Sequence, residues 1–125
     1  MGEGDERRLI DNTMTALRSL VEELGCGMVL VSHLKRPEGR GHEEGAQTSL
    51  AQLRGSAAIG QLSDMVIGLE RDQQDASKKD LTVVRVLKNR FTGDTGVATC
   101  LHYDRSTGRL VETSTEAASA FSEEF

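Results

Sequence analysis

Along the first 24 residues the apolar positions Leu9, Ile10, Thr13, Leu17, Leu20, Val21 and Leu24 recur at three- and four-residue steps. That spacing gathers side chains on one face of an α-helix. Asp5 and Glu6 stand at its front, where the helix dipole favours anions, and Gly25 is placed to end it. The pattern then changes. Residues 27–32, Gly-Met-Val-Leu-Val-Ser, form a continuous apolar run, which predicts a strand buried on both faces of an α/β sheet. The run ends in Ser32-His33. From residue 35 to 49 almost nothing is apolar, and Gly39, Gly41 and Gly45 lie within it. A loop of that length is a functional or an unstructured segment.

Residues 50–64 are rich in Ala and Gly and predict a short helix. Met65-Val-Ile-Gly-Leu69 predicts a second buried strand, and a polar loop follows over 72–80. Residues 81–87, with Thr82 and paired valines, predict a third strand. Phe91-Thr-Gly-Asp-Thr-Gly96 is turn chemistry, so residues 97–103 are expected to fold back as a hairpin. Ser106-Thr-Gly108 predicts a second turn before a short edge at Leu110-Val111. The fold class expected is α/β, ending in a β meander and lacking the first parallel crossover of such a sheet. Residues 1–111 make one domain, and 112–125 an acidic tail expected to be disordered.

The length of 125 residues allows one small domain, and with three Phe, one Tyr and no Trp the core must be aliphatic. The formal net charge is −5, but residues 112–125 hold four Glu and no Lys or Arg, which leaves sixteen acids against fifteen bases in the body. A nearly neutral body with a basic loop can still meet DNA. Cys26 and Cys100 have no metal-ligand spacing and read as reduced, intracellular thiols. No apolar run approaches the roughly 18 residues of a membrane span.

Several residues have the chemistry for a site. His33 is predicted at the carboxyl end of a buried strand, the edge where α/β sheets bind ligands. A His there donates to a phosphate, or it caps the strand by bonding a neighbouring carbonyl, and position alone leaves both readings open. Lys35, Arg36, Arg40 and His42 suit a nucleic-acid backbone, yet Glu38, Glu43 and Glu44 also fit a solvated, charge-balanced loop. Arg54 and Gly55 lie in Leu53-Arg-Gly-Ser56, and Gln61 and Asp64 precede the next strand. Lys88 and Arg90 follow an apolar strand, where period two puts them on one face. Two such cations repel unless an anion binds between them, and a phosphate is a natural partner. A solvent-exposed strand end is the other reading. No metal site is legible: His33, His42 and Cys26 include no closely spaced ligand pair.

Taken together, Gly2-Glu-Gly-Asp-Glu-Arg-Arg-Leu-Ile-Asp-Asn12, Ser32-His-Leu-Lys35, His42-Glu-Glu-Gly45, Leu53-Arg-Gly-Ser56, Gln61-Leu-Ser-Asp64 and Lys88-Asn-Arg-Phe-Thr-Gly-Asp-Thr-Gly96 resemble one family, in its order and at similar spacing. It is the bifunctional primase-helicase of T-odd-type short-tailed phages, with the mitochondrial helicase Twinkle and, more distantly, bacterial DnaB. The resemblance covers Gly2 to about Leu110. It implies the C-terminal part of a RecA-like motor in a hexameric ring, which binds nucleotide between subunits and moves 5′–3′ along single-stranded DNA. His33 would be the phosphate sensor and Arg90 the arginine finger, supported by Lys88. Arg71 and Tyr103 would sandwich the base, with Gln61 also at the nucleotide. Lys35, Arg36, Arg40, Arg54 and Gly55 would meet DNA, through a loop one residue shorter than the family's. The cofactor implied is ATP or dTTP with Mg2+. The partners implied are single-stranded DNA, further copies of the chain, and a phage DNA polymerase at the acidic tail, all in the host cytoplasm.

The chain departs from the family by having no G-x-x-x-x-G-K-[ST] phosphate loop. That loop, the magnesium ligands, the catalytic base and the surfaces that close the ring are expected upstream of Met1, in a longer gene or a split one. Two other readings remain: a non-catalytic DNA- or polymerase-binding module, which shares every motif and differs only in what lies upstream, and a fragment of another RecA-like ATPase, over which Lys88-x-Arg90 with Phe91-Thr-Gly and His33-Leu-Lys35 favour the helicase. Nothing in the sequence cradles β and γ phosphates, so the 125-residue chain is expected to show no DNA-stimulated ATP turnover by itself. A phosphate-release assay on the pure chain checks this, and turnover that disappears on Arg90→Ala would refute it.

Overall fold

The computed structural model describes residues 3–34, 46–53 and 57–113. It begins with helix α1, Glu3–Leu24. The helix stops at Gly25, whose φ of 64° is left-handed and whose N–H donates to Val21 O at 2.9 Å. Glycine takes that conformation without steric cost. The inward stripe is narrower than the sequence pattern: Met14 is buried and Ile10, Leu17 and Val21 are half-buried, while Leu9, Leu20 and Leu24 are exposed. Thr13 is also exposed, its hydroxyl donating to Leu9 O at 2.8 Å. The helix packs against a short helix α2, Ala58–Leu62, whose Ile59 is buried.

The helix expected over 50–64 is broken into a 3-10 turn, Leu50–Gln52, and α2. Leu53 is extended (φ −63°, ψ 120°) and bridges Leu34, which takes the backbone off the helical path. Ser63 (φ −81°, ψ 141°) ends α2 in the same way. Strands β1 (Met65–Arg71), β2 (Leu81–Asn89), β3 (Gly96–Asp104) and β4 (Arg109–Glu112) follow. They are neighbours in chain order, each pair antiparallel, so the expected meander is present and β1 extends it. Glu112, assigned from sequence to the tail, closes β4 opposite Leu101, and residues beyond 113 lie outside the described residues.

Two strand expectations need correction. Residues 27–32 form no strand, and Val29 and Val31 are 93% and 89% exposed. A strand buried on both faces needs ladder partners at its edges and cover on each side, and the described residues supply neither. His33 therefore does not end a strand. β1 is not buried on both faces either. It is the edge of the sheet, with Gly68 and Glu70 turned inward and Met65, Ile67 and Leu69 exposed.

The buried face is built in rows. Register aligns Glu70 with Val83 and Val83 with Cys100, and the next row aligns Gly68 with Arg85 and Arg85 with Val97. Val83 and Cys100 are almost wholly buried, with Leu81 and Val97 packed against them. Burial pushes the Cys100 thiol pKa up, which makes it a small apolar core residue rather than a nucleophile.

Beside this apolar centre lies a buried ion pair. Arg85 donates to Glu70 through Nε (2.8 Å, to Oε2) and Nη2 (3.1 Å, to Oε1). Thr48 adds its backbone N–H at 2.8 Å and its hydroxyl at 2.6 Å, both to Oε2. Thr48 lies so close over β1 that a Cβ on Gly68 would fall 2.0 Å from Thr48 Oγ1, so only glycine fits there.

Removing one partner leaves the other charge buried, so Glu70→Ala should destabilise the chain by about 3–5 kcal/mol. A paired Glu70→Leu, Arg85→Met variant, which buries no lone charge, should recover most of that loss. Urea titration of the three proteins checks this, and an unchanged midpoint for Glu70→Ala would mean the pair contributes nothing.

Candidate functional site

The cationic pair at the end of β2 is set by a bulge. Val66 pairs with Lys88 but Ile67 pairs with Val86, so Leu87 is an extra residue in β2. Such an insertion re-aims the side chains beyond it. Lys88 Nζ donates to Gly60 O at 2.7 Å and Gln61 O at 3.2 Å. Arg90 Nη2 donates to Gln61 O at 2.9 Å. Lys88, Arg90 and Gln61 are thus brought together at the end of α2. Carbonyls in a last helical turn lack helix partners and carry partial negative charge, which suits cations.

The anion that Arg90 meets is Asp64. Arg90 Nη1 donates to Asp64 Oδ1 at 2.7 Å, and the Arg90 backbone N–H donates to Asp64 O at 2.9 Å. From α1, Arg18 Nη1 donates to Asp64 Oδ2 at 2.9 Å, and Arg18 Nε also reaches Glu22 at 3.2 Å. One carboxylate therefore sits between two guanidinium groups from distant parts of the chain. The hydrogen bond from Arg18, with the charges of Arg18, Arg90 and Lys88, holds the Asp64 pKa below the usual carboxylate range. The same bond raises the pKa of Arg18.

Arg71 and Tyr103 lie at the opposite end of the sheet. Register aligns Arg71 with Thr82 and Thr82 with Leu101, and Tyr103 is two residues beyond Leu101 on the same face. One strand, β2, separates them, and Thr82 lies between them on that face. The dipeptide Lys79-Asp80 holds both residues. Arg71 Nε donates to Lys79 O, and Tyr103 N–H donates to Asp80 O at 2.8 Å. The Asp80 carboxylate takes both Nε (3.0 Å) and Nη2 (2.8 Å) of Arg105, whose hydrogen bond keeps its pKa low. About six residues of β1, roughly 20 Å, separate this pair from Lys88 and Arg90.

His33 is exposed and lines a groove between α1 and residues 30–33, with Met14, Leu17 and Ile59 at its base. No hydrogen bond joins it to Lys88 or Arg90. Lys35, Arg36, Arg40, His42, Arg54 and Gly55 lie outside the described residues. Among the described residues no group of three His, Cys, Asp or Glu could hold a metal ion, and no helix is long and apolar enough to cross a membrane.

Sequence reading missed the partners of Arg90. Asp64 appeared only as a polar residue near a strand, and Arg18 only as part of a helix. The available signal was an acid at the start of β1 facing cations at the end of β2, which a hairpin brings together. Glu70 and Arg85 were also missed, although Arg85 interrupts the apolar run 83–87 with a charge and Glu70 ends the run 65–69.

Residues 2–112 match the family model of the DnaB-like helicase C terminal domain. A DNA helicase/primase of Enterobacteria phage T3 is 50% identical over 109 residues, which cover 86% of this chain. The chain spans 19% of the length of that relative.

The depressed Asp64 pKa has a consequence for pH. The ion pairs stabilise the fold fully above the unfolded carboxylate value of about 3.9. That contribution is lost as pH falls through the lower folded value. In Arg18→Ala the Asp64 carboxyl should titrate at higher pH than in the parent, as followed by carbon NMR. Identical titration in both proteins would remove Arg18 as the main cause.

Proposed function

Because the chain belongs to the family of DnaB-like helicase C-terminal domains, whose fold is RecA-like, we propose that it is the nucleotide-responding part of a replicative DNA helicase motor. In this reading the motor couples NTP hydrolysis to 5′–3′ movement on single-stranded DNA within a ring of six copies. The observation that carries it is the cationic end of β2. Lys88 and Arg90 emerge together, and the Arg90 side chain remains 43% exposed. Arg90 acts as an arginine finger on the nucleotide of the adjacent subunit. Its planar fork donates to phosphoryl oxygens as charge builds on them in the transition state. Lys88, tied to the α2 carbonyls, supports the positive field.

Arg71 and Tyr103, on one face at the far end of the sheet, would take the flat base of ATP or dTTP, one through a planar cation and the other through a ring. Among the described residues no group of His, Cys, Asp or Glu is suited to Mg2+; a bound Mg2+ would neutralise phosphate charge. His33 senses the terminal phosphate. Lys35, Arg36, Arg40, Arg54 and Gly55 contact DNA, as the motif matches imply. The acidic tail serves a phage DNA polymerase, and the setting is host cytoplasm.

The test uses a helicase made by grafting this chain in place of the matching segment of the phage T3 protein. Arg90→Ala should lower nucleotide turnover by about a thousandfold while leaving nucleotide binding within a few-fold. Arg90→Lys should rescue little, because a point charge cannot replace the fork. Mixing Arg90→Ala subunits with subunits carrying a dead phosphate loop should restore part of the activity. His33→Ala should reduce DNA stimulation more than basal turnover. Normal turnover by Arg90→Ala, or no rescue in mixed rings, would remove the trans-acting role.

A further inference from the structure

We propose that Asp64 is the positioning residue for Arg90, and that Arg18 braces Asp64 from helix α1. This rests on the arginine-finger reading of Arg90 and adds the groups that aim it.

A guanidinium on a flexible stem has many rotamers, and an arginine that acts on a phosphoryl group must hold its fork in one orientation. Asp64 grips Arg90 twice. Its carbonyl accepts the Arg90 backbone N–H at 2.9 Å, and its Oδ1 accepts Nη1 at 2.7 Å. Gln61 O takes Nη2 at 2.9 Å. Arginine carries five side-chain N–H groups, so these two contacts fix the plane of the fork and leave Nε–H and one hydrogen on each terminal nitrogen for a ligand.

Asp64 is itself held from the other side. Its Oδ2 accepts Arg18 Nη1 at 2.9 Å. The carboxylate cannot turn away from Arg90 without also breaking the contact to α1. The neighbouring charges fit the same picture: Lys88 is drawn off to the carbonyls of Gly60 and Gln61, which leaves Oδ1 to Arg90. Helix α1, the start of β1 and the end of β2 are thereby tied at one carboxylate. A shift of α1 would be transmitted to the fork through three side chains.

Asp64→Asn keeps the shape of the side chain and removes its charge. In the grafted helicase it should lower kcat by about tenfold or more with KM within twofold, since misaim costs the transition state and spares ground-state binding. Affinity for ADP with aluminium fluoride should fall by a similar factor, while affinity for ADP alone stays unchanged. Arg18→Ala should give a smaller loss of the same kind. In an Arg90→Ala background, Asp64→Asn should cost nothing further, because a residue that acts through Arg90 has nothing left to aim. In the 125-residue chain, the Arg90 Nη hydrogens, one of which Nη1 donates to Asp64 Oδ1, should exchange with water faster in Asp64→Asn than in the parent.

Unchanged kcat in Asp64→Asn overturns the proposal, and so does increased kcat, which would make Asp64 a restraint on Arg90. Losses that multiply in the double variant overturn it as well, since Asp64 would then act independently. If Arg90→Ala itself turns over normally, the finger reading has failed first and the positioning role falls with it. An inactive graft leaves the exchange measurement, where an Arg90 signal unaffected by Asp64→Asn counts against the proposal.

Discussion

The Glu70 carboxylate is buried at the centre of the molecule and takes four hydrogen bonds, two from Arg85 and two from Thr48. Dehydrating a carboxylate and a guanidinium costs several kcal/mol for each ion. The cost is offset only when geometry is good and the remaining polar atoms are satisfied. Among the described residues no buried side-chain nitrogen or oxygen lacks a partner. The network joins three pieces that are distant in sequence: the segment before the 3-10 turn, strand β1 and strand β2. It therefore sets where the chain leading to α2 lies against the sheet, and Gly68 leaves the space that lets Thr48 come that close.

From this fixed centre the β1–β2 hairpin reaches in two directions. At one end the bulge at Leu87 turns Lys88 and Arg90 toward α2 and Asp64. At the other, Lys79 and Asp80 hold Arg71 and Tyr103. The ion pairs at both ends are partly exposed, with Arg90 and Arg105 open to solvent. Exposed pairs contribute little to stability, whereas breaking the buried pair costs several kcal/mol. The architecture thus places partly exposed charged groups at both ends of a rigid middle.

Much of this was legible along the chain. The long amphipathic helix, the three strands of the meander and both tight turns follow from spacing and turn chemistry, which act over a few residues. The shared face of Lys88 and Arg90 follows from strand period. The motif series from Gly2 to about Leu110 was enough to indicate the family that the comparisons bear out. The 27–32 run was misjudged as a formed strand because its apolar character states a need for partners without supplying them. The helix over 50–64 was overextended because the Leu34–Leu53 bridge is non-local.

Local pattern by itself determined helix α1, the hairpin order and the types of residue able to meet phosphate, since those depend on neighbours within one or two turns or strand steps. Which charge meets which was decided only in three dimensions. Arg18 and Asp64 are 46 positions apart, and Arg90 and Asp64 are 26 apart, so no local period records either pairing. An anion at Lys88 and Arg90 was legible as one of two readings, beside a solvent-exposed strand end. That Asp64 meets Arg90, while Lys88 turns to the carbonyls of Gly60 and Gln61, depends on a hairpin register, a one-residue bulge and the packing of α1 on α2, because an ion pair forms only where folding brings the charges within reach.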